Sequence, residues 1–302
     1  MKEKLSMILS MVVFGTIGIF IEYIDMPSGF IAAARGIIGA SVILVVMLIT
    51  GHKTNFKKLS KKLPVLLASG VAIGFNWILL FEAYRHTGIP AATVCYYMAP
   101  LLVVGVSPFI FKDKLTLRQI ICILIALMGV VSVSGIFQTN ASKIIGVLSG
   151  LGAAVLYASV MIMNKFMGET DDYERTFIQL SVAGLVVLPY GILTMGDIEF
   201  NTKSTVLLVI VGVVHTGIAY LVYFGAIKKL KSRTVAILSY IDPASAIVLS
   251  SIVFMQMPKV YEIIGVVLIM GAAILSETEK RRGIIKENKK TGEKNENNRC
   301  NF

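Results

Sequence analysis

Apolar residues fill ten stretches of this chain, roughly 5–24, 29–50, 63–84, 88–111, 116–137, 143–166, 175–195, 204–227, 233–256 and 260–277, with short polar segments between them. Each stretch is close to the ~20 residues that an α-helix needs to cross about 30 Å of hydrocarbon. Backbone groups in lipid must be satisfied within their own segment, so the pattern predicts ten transmembrane helices. The short alternating strands of a membrane barrel are absent from it. The first stretch follows a short charged start and lacks an A-x-A cleavage site, so a retained first span is expected rather than a removed signal.

The pattern repeats at an offset of 143 positions. "FEAYRHTGIPAATVCYYMAPLL" from Phe81 then meets "FGAIKKLKSRTVAILSYIDPAS" from Phe224. Tyr97 falls on Tyr240, Pro100 on Pro243, Trp77 on Tyr220 and Phe14 on Tyr157. Five spans per half is an odd number, so the second copy must enter the membrane from the opposite face. The expected organisation is one five-helix repeat over 1–137, an inverted second repeat over 138–279, and a polar tail over 280–302. Inverted repeats can open to either side in turn around a site held between them.

Composition agrees with this picture. The chain is 56% hydrophobic and 16% charged, with a mean hydropathy of +0.78, whereas soluble domains carry about 25% charged residues. The +11 net charge would suggest nucleic acid in a soluble protein. Here the basic residues sit in loops and the tail, so no nucleic-acid partner is expected. With the N-terminus inside, sixteen Lys and Arg fall in cytoplasmic loops before the tail and four in outer ones. That bias predicts that both termini are cytoplasmic. The tail is rich in Lys, Glu and Asn and reads as disordered. Cys95, Cys122 and Cys300 are scattered, with neither metal spacing nor a disulfide framework.

Polar residues inside the spans are the candidates for chemistry. Asp242 lies nine residues past Arg233, about 14 Å into its helix and near the bilayer midplane. A charge at that depth costs at least ~2.5–3.5 kcal/mol, so Asp242 is expected to face a wet cavity or to carry a proton. It is the leading candidate for proton coupling or for holding a cationic group. The alternative is a carboxyl that accepts a hydrogen bond from a neighbouring helix and locks the bundle. Pro100 and Pro243 mark helix breaks, which line transport sites in membrane proteins. Tyr97 and Tyr240 are expected to face each other across the repeat axis, with Asn76, Trp77, His215 and Tyr220 adding polar or aromatic groups near mid-membrane. Arg35 could snorkel to the surface or bind a substrate carboxylate. Glu22 and Glu82, near outer helix ends, are its possible partners in an outer gate, with a static bridge as the alternative. Small residues at Gly70/Gly74, Ala32/Gly36 and Gly146/Gly150 are read as close helix contacts.

Over about residues 5–277 the chain resembles the drug/metabolite transporter superfamily, specifically its EamA family. The resemblance rests on the two five-span halves, Phe14-Gly15, Arg35, Pro100 and a fifth span rich in small residues. It implies a secondary transporter of the cell membrane, mostly an exporter of amino acids, nucleosides or other small metabolites. The family commonly carries a glutamate ahead of a glycine after spans four and nine. Here Asp113 precedes Cys122, and Gln256 precedes Gly265, so no coupling role is read for that acid. No P-loop, clustered metal set or nucleophile elbow appears, so neither enzyme activity, cofactor nor metal is expected. The expectation is a transporter of a small polar, amino acid-like metabolite working by alternating access. A passive channel or a lipid-handling membrane protein is the alternative.

Overall fold

The computed structural model describes residues 2–52, 60–112, 115–134, 141–167, 170–196, 201–227, 230, 238–255, 259–261, 263–272 and 274–275. The tail over 280–302, Cys300, Asp113 and Gln256 lie outside the described residues. Within them the chain is helical and no strand occurs. In order, the helices are α1 (Lys2–Glu22), α2 (Ser28–Ile49), α3 (Leu63–Thr87), α4 (Ile89–Tyr96), α5 (Ala99–Phe111), α6 (Leu117–Ser134) and α7 (Ala141–Met167). Then come α8 (Asp172–Leu193), α9 (Thr202–Ile210), a π-helical segment (Val211–Ile218), α10 (Ala219–Ile227), α11 (Ile241–Val253) and α12 (Ile263–Ala272).

Among the described residues, seven segments are long and apolar enough to cross a membrane, counting Ile89–Phe111 and Thr202–Tyr223 as one each. Shorter apolar helices at Leu117–Ser132, Ile241–Val253 and Ile263–Ala272 fall within the fifth, ninth and tenth stretches of the sequence. The chain is a multi-pass membrane protein. Exposed Leu, Ile, Val and Phe side chains such as Leu48, Phe109, Leu148 and Leu193 cover the outside, as expected where the surrounding solvent is lipid.

Two of the spans are interrupted. The fourth stretch bends at Tyr97 and Met98, where α4 gives way to α5 with Pro100 in the first turn of the new helix. Proline cannot supply the N–H that would continue the ladder. Pro243 likewise sits in the first turn of α11, just after a turn at Tyr240. The π segment in the eighth stretch was not legible in the sequence. There the Thr216 hydroxyl donates to the Val211 carbonyl, five residues back, at 3.1 Å.

The helices pair reciprocally. α3 lies along α7 and α8, while α1 lies along α10 and α2 along the π segment. α1 packs on α11, and α7 packs on α4 and α5. α2 and α8 pack on each other through Gly36 and Gly184. A Cβ at Gly36 would lie 2.7 Å from the Gly184 nitrogen, and one at Gly184 would lie 2.8 Å from the Ile37 nitrogen. Backbone cannot yield as a flexible side chain does. Gly36→Ala is therefore expected to destabilise the protein by roughly 1–3 kcal/mol through overpacking. Gly225→Ala, with nothing within 4 Å of its added Cβ, should gain up to about 1 kcal/mol from the helical preference of alanine. Thermal unfolding in detergent checks the opposite signs. The other small-residue pairs behave alike, with Gly70 and Gly74 against α8 and Gly146 and Gly150 against Thr87 and Cys95.

Candidate functional site

The breaks and the half-buried acid converge on one cavity of about 340 Å³. Its wall on α3 is a stripe at Trp77, Leu80 and Tyr84, the three- and four-residue spacing that puts side chains on one helix face. α4 and the bend after it contribute Thr93, Tyr96 and Tyr97, and Pro100 follows. From the second half come Tyr157 and Met161 of α7, Tyr220 and Tyr223 of α10, and Ser239, Tyr240 and Asp242 at the start of α11. Phe14 of α1 and Arg35 of α2 also line it, with Met11, Ile17 and Ala246. Seven of the eleven tyrosines in the chain are here, so the site is largely apolar by area yet has hydroxyls in several directions, the usual makeup of a small-molecule pocket.

The rings support one another. Tyr96 stacks on Tyr157 with centroids 5.0 Å apart and meets Tyr97 edge-on at 5.9 Å. Phe14 bridges to Tyr220 at 5.3 Å and to Tyr223 at 6.1 Å. Such offset and edge contacts hold aromatic side chains in place. The wall is thus fixed from both halves of the chain.

Two opposite charges enter this wall. Asp242 is half-buried, and its carboxylate accepts a hydrogen bond of 2.5 Å from the Tyr97 hydroxyl. The bend at Tyr97 and the helix start at Ile241 bring these two groups together from the two halves of the chain. Arg35 is only 5% exposed. Its guanidinium lies over Trp77 at 4.1 Å, and its Nε donates to the Thr216 hydroxyl at 2.7 Å. The π segment places that hydroxyl, because its wider turn directs Thr216 toward Val211 on one side and Arg35 on the other. Among the described residues, no ion pair joins Arg35 to a carboxylate, Asp242 included. Tyr84 and Tyr220 lie within electrostatic reach of both charges.

Of the residues singled out in the sequence, Asp242, Arg35, Tyr97, Tyr240, Trp77, Tyr220 and Pro100 line the cavity together. Asn76 does not. It sits one position from Trp77 but points at α7, donating to the Ala153 carbonyl at 2.6 Å. His215 is also outside the lining, held by Thr16 at 3.0 Å and against the edge of Phe20. Pro243 is buried in α11 behind Asp242. The expected gate between Arg35 and Glu22 or Glu82 is not formed. Arg35 turns inward onto Trp77, whereas both glutamates line a separate cavity of about 450 Å³ with Arg85 and Asp25. Glu82 there pairs with His86 at 3.6 Å. Thr216, Tyr84, Tyr96 and Tyr223 were not singled out in the sequence. Gly212 and Gly217, five residues apart and each against α2, are the one sequence feature that matches the π period.

This arrangement has relatives. The family model described as the EamA-like transporter family matches residues 1–135 and 144–278. The chain is 29% identical over 276 residues to "Uncharacterized transporter YxxF" of Bacillus subtilis (strain 168), covering 90% of this chain and 88% of that protein. It is 22% identical over 285 residues to "Solute carrier family 35 member G1" of Homo sapiens, covering 88% and 77% respectively. A solved structure titled only as a crystal structure of a protein superposes with a TM-score of 0.65. It is 20% identical and covers 93% of this chain and 99% of its own, a likeness of fold alone. With two family matches that together span nearly all of its apolar helices, the chain belongs to the EamA-like transporter family and is a membrane transporter of that kind.

Proposed function

We propose that the protein is a secondary transporter that carries a small zwitterionic metabolite, amino acid-like in charge, out across the cytoplasmic membrane by alternating access. In this reading ten helices form two inverted repeats, 1–137 and 138–279, with both termini cytoplasmic. The two family matches and the reciprocal helix contacts support that division. One observation carries the substrate class. Among the described residues, Arg35 and Asp242 line the same cavity without pairing, each held by a neutral hydroxyl. Unpaired opposite charges in a low-dielectric site would gain by closing on each other, so a site that holds them apart is preorganised for a ligand with both signs. The substrate carboxylate meets the guanidinium and its ammonium replaces Tyr97 at Asp242. A proton can take the place of the ammonium when the site is empty, which couples transport to pH.

Counterflow in proteoliposomes tests this. Preloading with an unlabelled neutral amino acid should accelerate uptake of the labelled one and saturate with concentration. Flux that rises linearly and ignores the preload would instead be that of a channel.

A further inference from the structure

Two aromatic pairs occupy equivalent positions in the two halves. The 143-residue offset carries Tyr23 onto Phe166 and Phe111 onto Phe254. Tyr23 stacks on Phe254 with centroids 5.7 Å apart and planes 30° apart, and Phe111 meets Phe166 at 5.6 Å and 33°. One contact therefore occurs twice, with the contributions of the halves exchanged. In the first, the end of α1 meets the end of α11; in the second, the end of α7 meets the end of α5.

The pairs lie at opposite ends of the bundle. Near the end of α3, Arg85 donates to the Met26 carbonyl, three residues past Tyr23. Just before α3, Lys62 donates to the Phe166 carbonyl at 3.0 Å. α3 has 25 residues, about 37 Å of helix, and separates the two. Between the cavity and the Tyr23 pair, α1 closes on its neighbours. A Cβ at Gly15 would lie 2.6 Å from the Asp242 carbonyl oxygen, and one at Gly18 would lie 2.9 Å from Ile89. A path out of the cavity along this seam requires α1 to leave α11, which parts Tyr23 from Phe254.

Each pair also carries a cation. Lys203 Nζ lies 4.9 Å from the centre of the Tyr23 ring, and Lys165 Nζ lies 3.5 Å from that of Phe111. The lysines are not equivalent under the repeat, so each face has acquired its own brace. On exposed rings such contacts add modestly to the closed state.

We propose that Tyr23–Phe254 and Phe111–Phe166 are the two gates of the transport cycle, one at each face, and that the balance between them sets which face the cavity opens to. This rests on the alternating-access reading. The experiment uses Ser239→Cys, a cavity-lining position, in the full chain in oriented vesicles, labelled by a membrane-impermeant maleimide from one face at a time and compared with the parent without that cysteine. Tyr23→Ala and Phe254→Ala should each raise labelling from the α1–α11 face about two- to tenfold, the worth of one aromatic pair, and lower it from the other. Phe111→Ala and Phe166→Ala should do the reverse. Equal total labelling in detergent confirms that the variants are folded. Labelling from both faces that no variant changes overturns the gates and leaves alternating access standing. Labelling confined to one face in every protein overturns alternating access and the gates with it. A rise at both faces in all four variants marks general loosening and also overturns the assignment.

Discussion

Asp242→Asn is expected to reduce counterflow about a hundredfold or more, because the ammonium of the proposed substrate loses the charge it meets, while leaving the fold intact. Asparagine keeps the size of the side chain and an oxygen that can accept from the Tyr97 hydroxyl, so that hydrogen bond survives. What is lost is the negative charge and the ability to take up a proton. The helix itself has no need of that charge, since the matching residue in the first half is Ala99, buried at the start of α5. Two readouts separate function from stability. The unfolding temperature should stay near that of the wild type, and acceleration by an imposed pH gradient should disappear. Unchanged exchange in Asp242→Asn would take the carboxylate out of the mechanism and leave it as a hydrogen-bonded link between α4 and α11.

Where the sequence was readable and where it was not follows from geometry. Span positions rest on length and hydropathy, and the described helices overlap the predicted stretches to within a few residues, several running past their ends. Pro100 marks the bend that places Tyr97, because a missing N–H interrupts a helix wherever it occurs. Distance along a helix is also readable, at 1.5 Å per residue, and Asp242, Arg35 and several of the tyrosines share one cavity. Direction around the helix is not. Adjacent residues are about 100° apart, so Trp77 lines the cavity while Asn76 binds α7. The same gap explains the gate that does not form. Arg35 and Glu82 could be matched by depth, but the guanidinium turns toward Trp77 and Thr216. Thr216 itself is placed by a π segment, whose widened turn leaves little trace in hydrophobic periodicity beyond Gly212 and Gly217.

Arg35→Met is expected to abolish counterflow and yet leave the protein as stable as the wild type, or more so. A buried guanidinium at membrane depth costs about 2.5–3.5 kcal/mol on insertion scales. Against that stand the contact with Trp77, worth about 0.5–2 kcal/mol, and one hydrogen bond to Thr216. No carboxylate among the described residues pays the rest. Methionine retains the long apolar stem on Trp77 and removes the charge, and replacing buried ionic groups by apolar ones of similar volume is often neutral or stabilising. A residue retained at a cost to the empty protein is accounted for by what it binds. Thermal stabilisation by the proposed zwitterionic substrate is expected in the wild type, because a ligand that prefers the native state must raise its stability, and should vanish in Arg35→Met. Arg35→Lys keeps the charge but lacks the planar fork and its stacking, so it should retain weak stabilisation at higher ligand concentration. If Arg35 serves only to hold α2 to the π segment, the outcome reverses. Arg35→Met would then unfold at a lower temperature, and the folded fraction would still transport.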